Sequence, residues 1–264
     1  MYDFNYRKVA SVNDAVTALK SAGEGKILAG GMTLLPTLKF RLSRPSDLID
    51  LVGVSDLKGI KIEAGKLVVG AMTTHATVSK SKDVNAKIPA LALLAGHIGD
   101  AQVRNRGTIG GSISNNDPAA DYPSAVVALG ATITTDRRTI EGDIFFKGMF
   151  ETALAPDEIV TAVSFPVPER AAYMKFPNPA SRFAMVGVFV AKGSKGVRVA
   201  VTGAASCVFR QGEMEKALEK KFAPESVASI KVSPDGLNSD IHASAEYRAH
   251  LITVMAKRAV AACV

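Results

Sequence analysis

Tryptophan is absent from the 264 residues, and cysteine occurs only twice, at Cys207 and Cys263. No Cys-x-x-Cys pair exists, so the chain offers neither a structural zinc site nor a thiolate set for an iron–sulfur cluster. Two isolated thiols point to a reducing compartment. The N-terminal MYDFNYRKVA lacks the apolar stretch of a secretory signal, and no run of about 18 apolar residues occurs anywhere. The expectation is a cytoplasmic chain that is not an integral membrane protein. His75, His97, His242 and His250 are never spaced four apart, which leaves no metal-ligand pattern and no metal expected on this chain. An aromatic-plus-basic RNA signature is missing too, so nucleic acid is not the expected partner. Lys and Arg nevertheless outnumber Asp and Glu by 32 to 25, and the charge of +7 fits an anionic ligand or an acidic protein.

What is present reads as an ordinary folded chain: 47% hydrophobic and 22% charged residues exclude disorder and fibrous repeats. Ser11 precedes Val12, Ala15, Val16 and Leu19 on one helical face, with Asp14 in the first turn. Lys26 to Leu28 and Asp47 to Leu51 read as short strands around a helix from Leu34 to Leu42, which together imply a small parallel α/β layer. Two strands flank Ala64-Gly65 as a hairpin, and residues 77–94 read as largely helical. Strands are expected near 131–134, 158–163, 184–192 and 197–208, and helices near 212–220 and from Asp240 onward. Cys207 falls in that last strand as a small buried hydrophobe. Four prolines between 166 and 179 suggest a domain boundary.

Two glycine blocks carry the chemistry. Ala29-Gly30-Gly31-Met32-Thr33 follows a strand and precedes a helix, so outward-facing amides and the helix start could hold an anion. It is neither GxGxxG nor a Walker loop, and an ordinary strand-to-helix turn explains it equally well. Thr108-Ile109-Gly110-Gly111-Ser112 leads into Ser114, Asn115, Asn116, Asp117 and Asp121, a long polar loop whose plainer reading is surface decoration. Together the two loops could clamp a pyrophosphate from opposite sides while the polar side chains serve ribose, which favours a dinucleotide. Arg104 and Arg106, just before the second block, could attract the cofactor or a partner.

AGGMTLLP at 29–36, GAMTTHA at 70–76, HIGDAQVRNRGTIGGSISNNDPAADYPS at 97–124 and SAEYRAHL at 244–251 resemble the FAD-binding medium subunits of the molybdenum hydroxylases, the family of carbon monoxide dehydrogenase and xanthine dehydrogenase flavoproteins. The resemblance spans essentially the whole chain. It implies an α+β protein: a vanillyl-alcohol-oxidase/PCMH-type FAD-binding fold of two α/β subdomains (about 1–56 and 57–168). A C-terminal domain (169–264), a small antiparallel sheet with helices, completes it. Carried over by motif, Ala29, Gly30, Gly31, Met32 and Thr33 would meet the pyrophosphate, and Thr108, Gly110, Gly111, Ser114 and Asn115 would form the second clamp. Asp121 would bind the ribose side. Tyr173 and Lys175 would lie near the isoalloxazine, the lysine stabilising reduced flavin by its charge. Ser112, Asn178, Pro179 and Arg182 depart from the pattern.

The resemblance further implies an oxidoreductase subunit that passes electrons from [2Fe–2S] clusters of a small partner, through FAD, to an external acceptor. A large partner would hold the molybdenum cofactor, in a dimer of heterotrimers. A self-sufficient FAD oxidoreductase of the same fold, acting directly on a small substrate, is the alternative.

Overall fold

Ser11 starts the first helix: its hydroxyl accepts the Asp14 amide at 3.0 Å, and α1 (Val12–Ser21) follows. The coordinates are a computed structural model that describes residues 1–263. Strands β1 (Asn5–Lys8), β2 (Gly25–Leu28) and β3 (Asp47–Asp50) form a parallel sheet in the order β1-β3-β2, with α2 (Leu34–Lys39) crossing between β2 and β3. The expected parallel layer is therefore present. The edge strand β1 escaped the sequence reading because all four of its residues are exposed and leave no alternation to read. Ala15, Ile49, Leu51 and Leu57 make the core of this layer.

The hairpin of β4 (Ile60–Glu63) and β5 (Lys66–Gly70) turns at Ala64 and Gly65, both at positive φ (48° and 75°). From β5 the chain enters a helical stretch: α3 (His75–Lys80), α4 (Lys82–Lys87), α5 (Pro89–Gly96), α6 (Ala101–Arg106), α7 (Ile109–Asn115) and α8 (Tyr122–Ala128). The helix expected at 77–94 is thus three helices, broken where Ser81 caps α4 and Pro89 opens α5. Beyond it come β6 (Thr132–Thr135), β7 (Thr139–Glu141), a one-turn α9 (Gly142–Phe145), a ribbon of β8 (Phe146–Gly148) and β9 (Glu151–Thr152), and β10 (Val160–Pro166). The resulting antiparallel sheet has the order β4-β5-β10-β6-β7.

Antiparallel strands β11 (Arg170–Pro177), β12 (Ala184–Gly193), β13 (Gly196–Thr202) and β14 (Phe209–Arg210) follow, then α10 (Gly212–Lys220), α11 (Pro224–Ala228) and α12 (Ala245–Ala262). The proline-rich stretch holds a strand as well as a link, because Pro166 closes β10 and Pro177 closes β11. The alternation along β11 sends Ala171 and Tyr173 into the core shared with α5 and α8, and Ala172, Met174 and Phe176 toward α12. β13 ends at Thr202, so Cys207 sits half-buried in the following turn rather than in a strand. The last helix begins at Ala245 under Ser244, not at Asp240, whose carboxylate instead accepts the His242 and Ala243 amides.

Candidate functional site

The Ala29–Thr33 segment is a turn whose amides are not spent on the fold. Among the described residues, the N–H groups of Gly30, Gly31, Met32 and Thr33 have no acceptor. Gly30 is required by close approach: a Cβ there would stand 2.1 Å from the Arg106 carbonyl oxygen. Gly31 is required by its φ of 75°. Four consecutive free donors make an anion cradle. The helix start contributes less than the sequence suggested, since α2 has only six residues and Thr33 makes no side-chain cap.

Thr108 to Asn115 corrects the expectation of a long loop. It is a helix, α7, capped by the Thr108 hydroxyl, which accepts the Gly111 amide at 3.2 Å. Glycine's poor propensity hid it; Ile109 and Ile113, four apart and fully buried, hold it down. Its first amides are committed to the fold: Ile109 donates to Thr73 O, Gly110 to Ala71 O and Ser112 to Thr108 O. Gly110 is a packing residue, since a Cβ on it would lie 2.6 Å from the Ala71 methyl. A Cβ on Gly111 would lie 3.5 Å from the Ala29 methyl, so this face of α7 looks toward the first loop. Helical spacing puts Thr108, Ser114 and Asn115 on that same face. The side chains of Ser114 and Asn115 are partly exposed and make no hydrogen bond among the described residues. The second block therefore offers side chains, not amides, to a ligand held by the first.

In the C-terminal sheet, β11 places Tyr173 and Lys175 two apart on one strand face. The Tyr173 hydroxyl donates to Asp121 Oδ1 at 2.5 Å. Lys175 Nζ lies 2.9 Å from Oδ1 and 3.0 Å from Oδ2, and donates also to the His97 carbonyl at 3.2 Å. Asp121 is 4% exposed and both its oxygens are taken up, so what the structure shows directly is a tether to the C-terminal sheet; the ribose role expected for it is not visible. Burial pushes the Asp121 carboxyl above its ordinary range, against the pull of Lys175 and the Tyr173 hydrogen bond. Burial likewise raises the Tyr173 hydroxyl.

Residues outside the two glycine blocks surround these groups. The loop from His97 to Gly99 is fastened by Arg104, which donates to Ile98 O at 3.0 Å and Gly99 O at 3.2 Å, a structural use for an arginine considered as a cofactor attractor. His75 is 4% exposed, with Nε2 against Gly107 and Nδ1 without a partner. Burial, then Arg104, lowers its pKa to about 4, so it is neutral. The DPAAD segment also binds across: Pro118 O accepts Gly203 N at 2.8 Å and Ala120 O accepts the Thr202 hydroxyl at 2.6 Å. The departures at 178–182 form a turn of their own, in which Asn178 Oδ1 accepts the Ala180 and Ser181 amides and Arg182 takes a φ of 62°. Among the described residues no group of three or more His, Cys, Asp or Glu side chains could hold a metal ion. No helix there is long and apolar enough to cross a membrane.

A sequence model of the family described as "FAD binding domain in molybdopterin dehydrogenase" matches residues 2–168. The chain belongs to the FAD-binding medium subunits of the molybdenum hydroxylases. It is similar to the nicotine 6-hydroxylase medium subunit of Paenarthrobacter nicotinovorans, at 35% identity over 97% of this chain and 95% of that protein. Among solved structures, carbon monoxide dehydrogenase from Hydrogenophaga pseudoflava superposes with a TM-score of 0.91 at 34% identity, covering 99% of this chain and 97% of that one. Quinoline 2-oxidoreductase from Pseudomonas putida 86 gives 0.91 at 30% identity, covering 98% and 96%. The α+β FAD-binding fold and the FAD-dependent oxidoreductase class follow for this chain. The cradle fits the cofactor independently of the likeness: four backbone donors without an acceptor among the described residues suit a pyrophosphate.

Proposed function

We propose that the chain is the FAD-carrying electron-transfer subunit of a cytoplasmic complex, passing electrons from [2Fe–2S] clusters of a small partner to an external acceptor. A large partner holds the molybdenum cofactor, and the assembly is a dimer of heterotrimers. The observation that carries the reading is the juxtaposition of four unspent amides at Gly30–Thr33 with the Gly111, Ser114 and Asn115 face of α7. The two cysteines, both free, support borrowed rather than resident clusters.

Within this reading, the turn from Ala29 to Thr33 holds the pyrophosphate by backbone donors. Thr108 keeps α7 in place, Gly110 and Gly111 allow its approach, and Ser114 and Asn115 hydrogen-bond the sugar and phosphate oxygens. Asp121 orients Tyr173 and Lys175, which close the isoalloxazine end from the C-terminal sheet. When bound, FAD supplies a carrier that accepts and releases electrons singly or in pairs. The test is purification of the native complex: FAD, iron, molybdenum and two further subunits should travel with this chain. An isolated chain that oxidises an organic donor by itself would contradict the proposal.

A further inference from the structure

We infer that Asp121 is a positioning residue that cancels the charge of Lys175 beside the cofactor, so that the pair rather than the lysine sets the potential of bound FAD. The inference rests on the function proposed above. Its basis is the seating of the ammonium group against the carboxylate. Lys175 Nζ donates to Asp121 Oδ2 at 3.0 Å and to His97 O at 3.2 Å, and it forms an ion pair with Asp121 Oδ1 at 2.9 Å. The side chains of Lys175 and Asp121 are 5% and 4% exposed, so water does little to screen one from the other. The charge a lysine held in this way could lend to a neighbour is already paired with the Asp121 carboxylate.

The position of the pair follows from the chain. His97 begins the loop that enters α6, and the last carbonyl of α6, Arg106 O, abuts Gly30 of the phosphate cradle. One continuous wall thus runs from the cradle to Lys175. Of the other ionisable groups along it, His75 and His97 are held below their ordinary pKa chiefly by burial, while Arg104, fastened to Ile98 O and Gly99 O, keeps its positive charge in every variant and therefore does not alter the comparison between them.

Spectroelectrochemical titration of FAD bound to the full chain tests this without any turnover. Asp121→Asn uncovers the lysine charge and should shift the potential upward, because reduction adds negative charge beside it. Lys175→Met should leave the potential near wild type, because burial favours the neutral acid at Asp121 once its partner is gone. The double variant should also stay near wild type. A large downward shift for Lys175→Met, or no upward shift for Asp121→Asn, overturns the inference. If circular dichroism shows that Asp121→Asn does not fold, Lys175→Met and the double variant still decide. Flavin fluorescence titration of the wild type separates the two levels: a chain that binds no FAD overturns the proposed function, whereas a chain that binds FAD with the wrong pattern of potentials overturns only the charge pairing.

Discussion

The Tyr173 hydroxyl donates to Asp121 across 2.5 Å, joining β11 to the segment between α7 and α8. The two residues are 52 positions apart, and both are buried. Tyr173→Phe deletes the donor and keeps the ring, leaving a buried carboxylate short of one partner. The expected cost is about 1–3 kcal/mol, seen as a lower midpoint in urea unfolding with unchanged far-UV circular dichroism. An unchanged midpoint would show that the contact contributes nothing to stability.

Gly30→Ala should abolish FAD binding. Its Cβ would meet the Arg106 carbonyl oxygen at 2.1 Å, and neither backbone can yield without displacing the cradle. Gly212→Ala is the control, because that position has open space and no positive φ. The ratio of flavin to protein absorbance should fall toward zero in the first variant and stay at the wild-type value in the second.

Ser114→Ala and Asn115→Ala should each weaken FAD binding by about 1 kcal/mol, roughly fivefold in Kd. Both side chains sit on the Gly111 face of α7 and have no hydrogen-bond partner among the described residues, so their loss should leave the melting temperature nearly unchanged. Fluorescence titration with FAD reads the affinity. A fall in stability with unaltered affinity would assign them to the scaffold instead.

Acid should destabilise the protein through His75. Its folded pKa is about 4 against 6.5 for the unfolded chain, so between these values the unfolded state binds a proton that the native state refuses. Stability is therefore full above about pH 6.5 and falls as pH drops toward 4, by about 3 kcal/mol in all. His97, also lowered by burial, acts in the same direction. Unfolding midpoints measured across this range should slope downward with acidity, and His75→Gln should flatten the slope.

Much of this was legible in the residues. The Ser11 cap, the parallel layer, the Ala64-Gly65 hairpin and the Gly30-Gly31 cradle are local features, written in neighbouring side chains. α7 was not legible as a helix, because Gly110 and Gly111 argue against one and only the tertiary burial of Ile109 and Ile113 overrides them. β11 was obscured by its bracketing prolines, and β1 by its complete exposure. The role of Asp121 could not be read locally at all. Its partners lie beyond residue 170, and a neighbouring Asp-Tyr-Pro gives no sign of them. The family resemblance pointed to these residues; the structure shows which have free amides, which have free side chains and which pack against the fold.

FAD held on the free amides of the Ala29–Thr33 turn, beside the Gly111 face of α7, is what the proposed function requires of this chain. The most direct test is the stoichiometry and identity of flavin released from the purified full chain after incubation with FAD. About one FAD per wild-type chain is expected, and none in Gly30→Ala. A wild-type protein that remains colourless in excess FAD, or a Gly30→Ala variant that binds it fully, would show that the turn is not the FAD site.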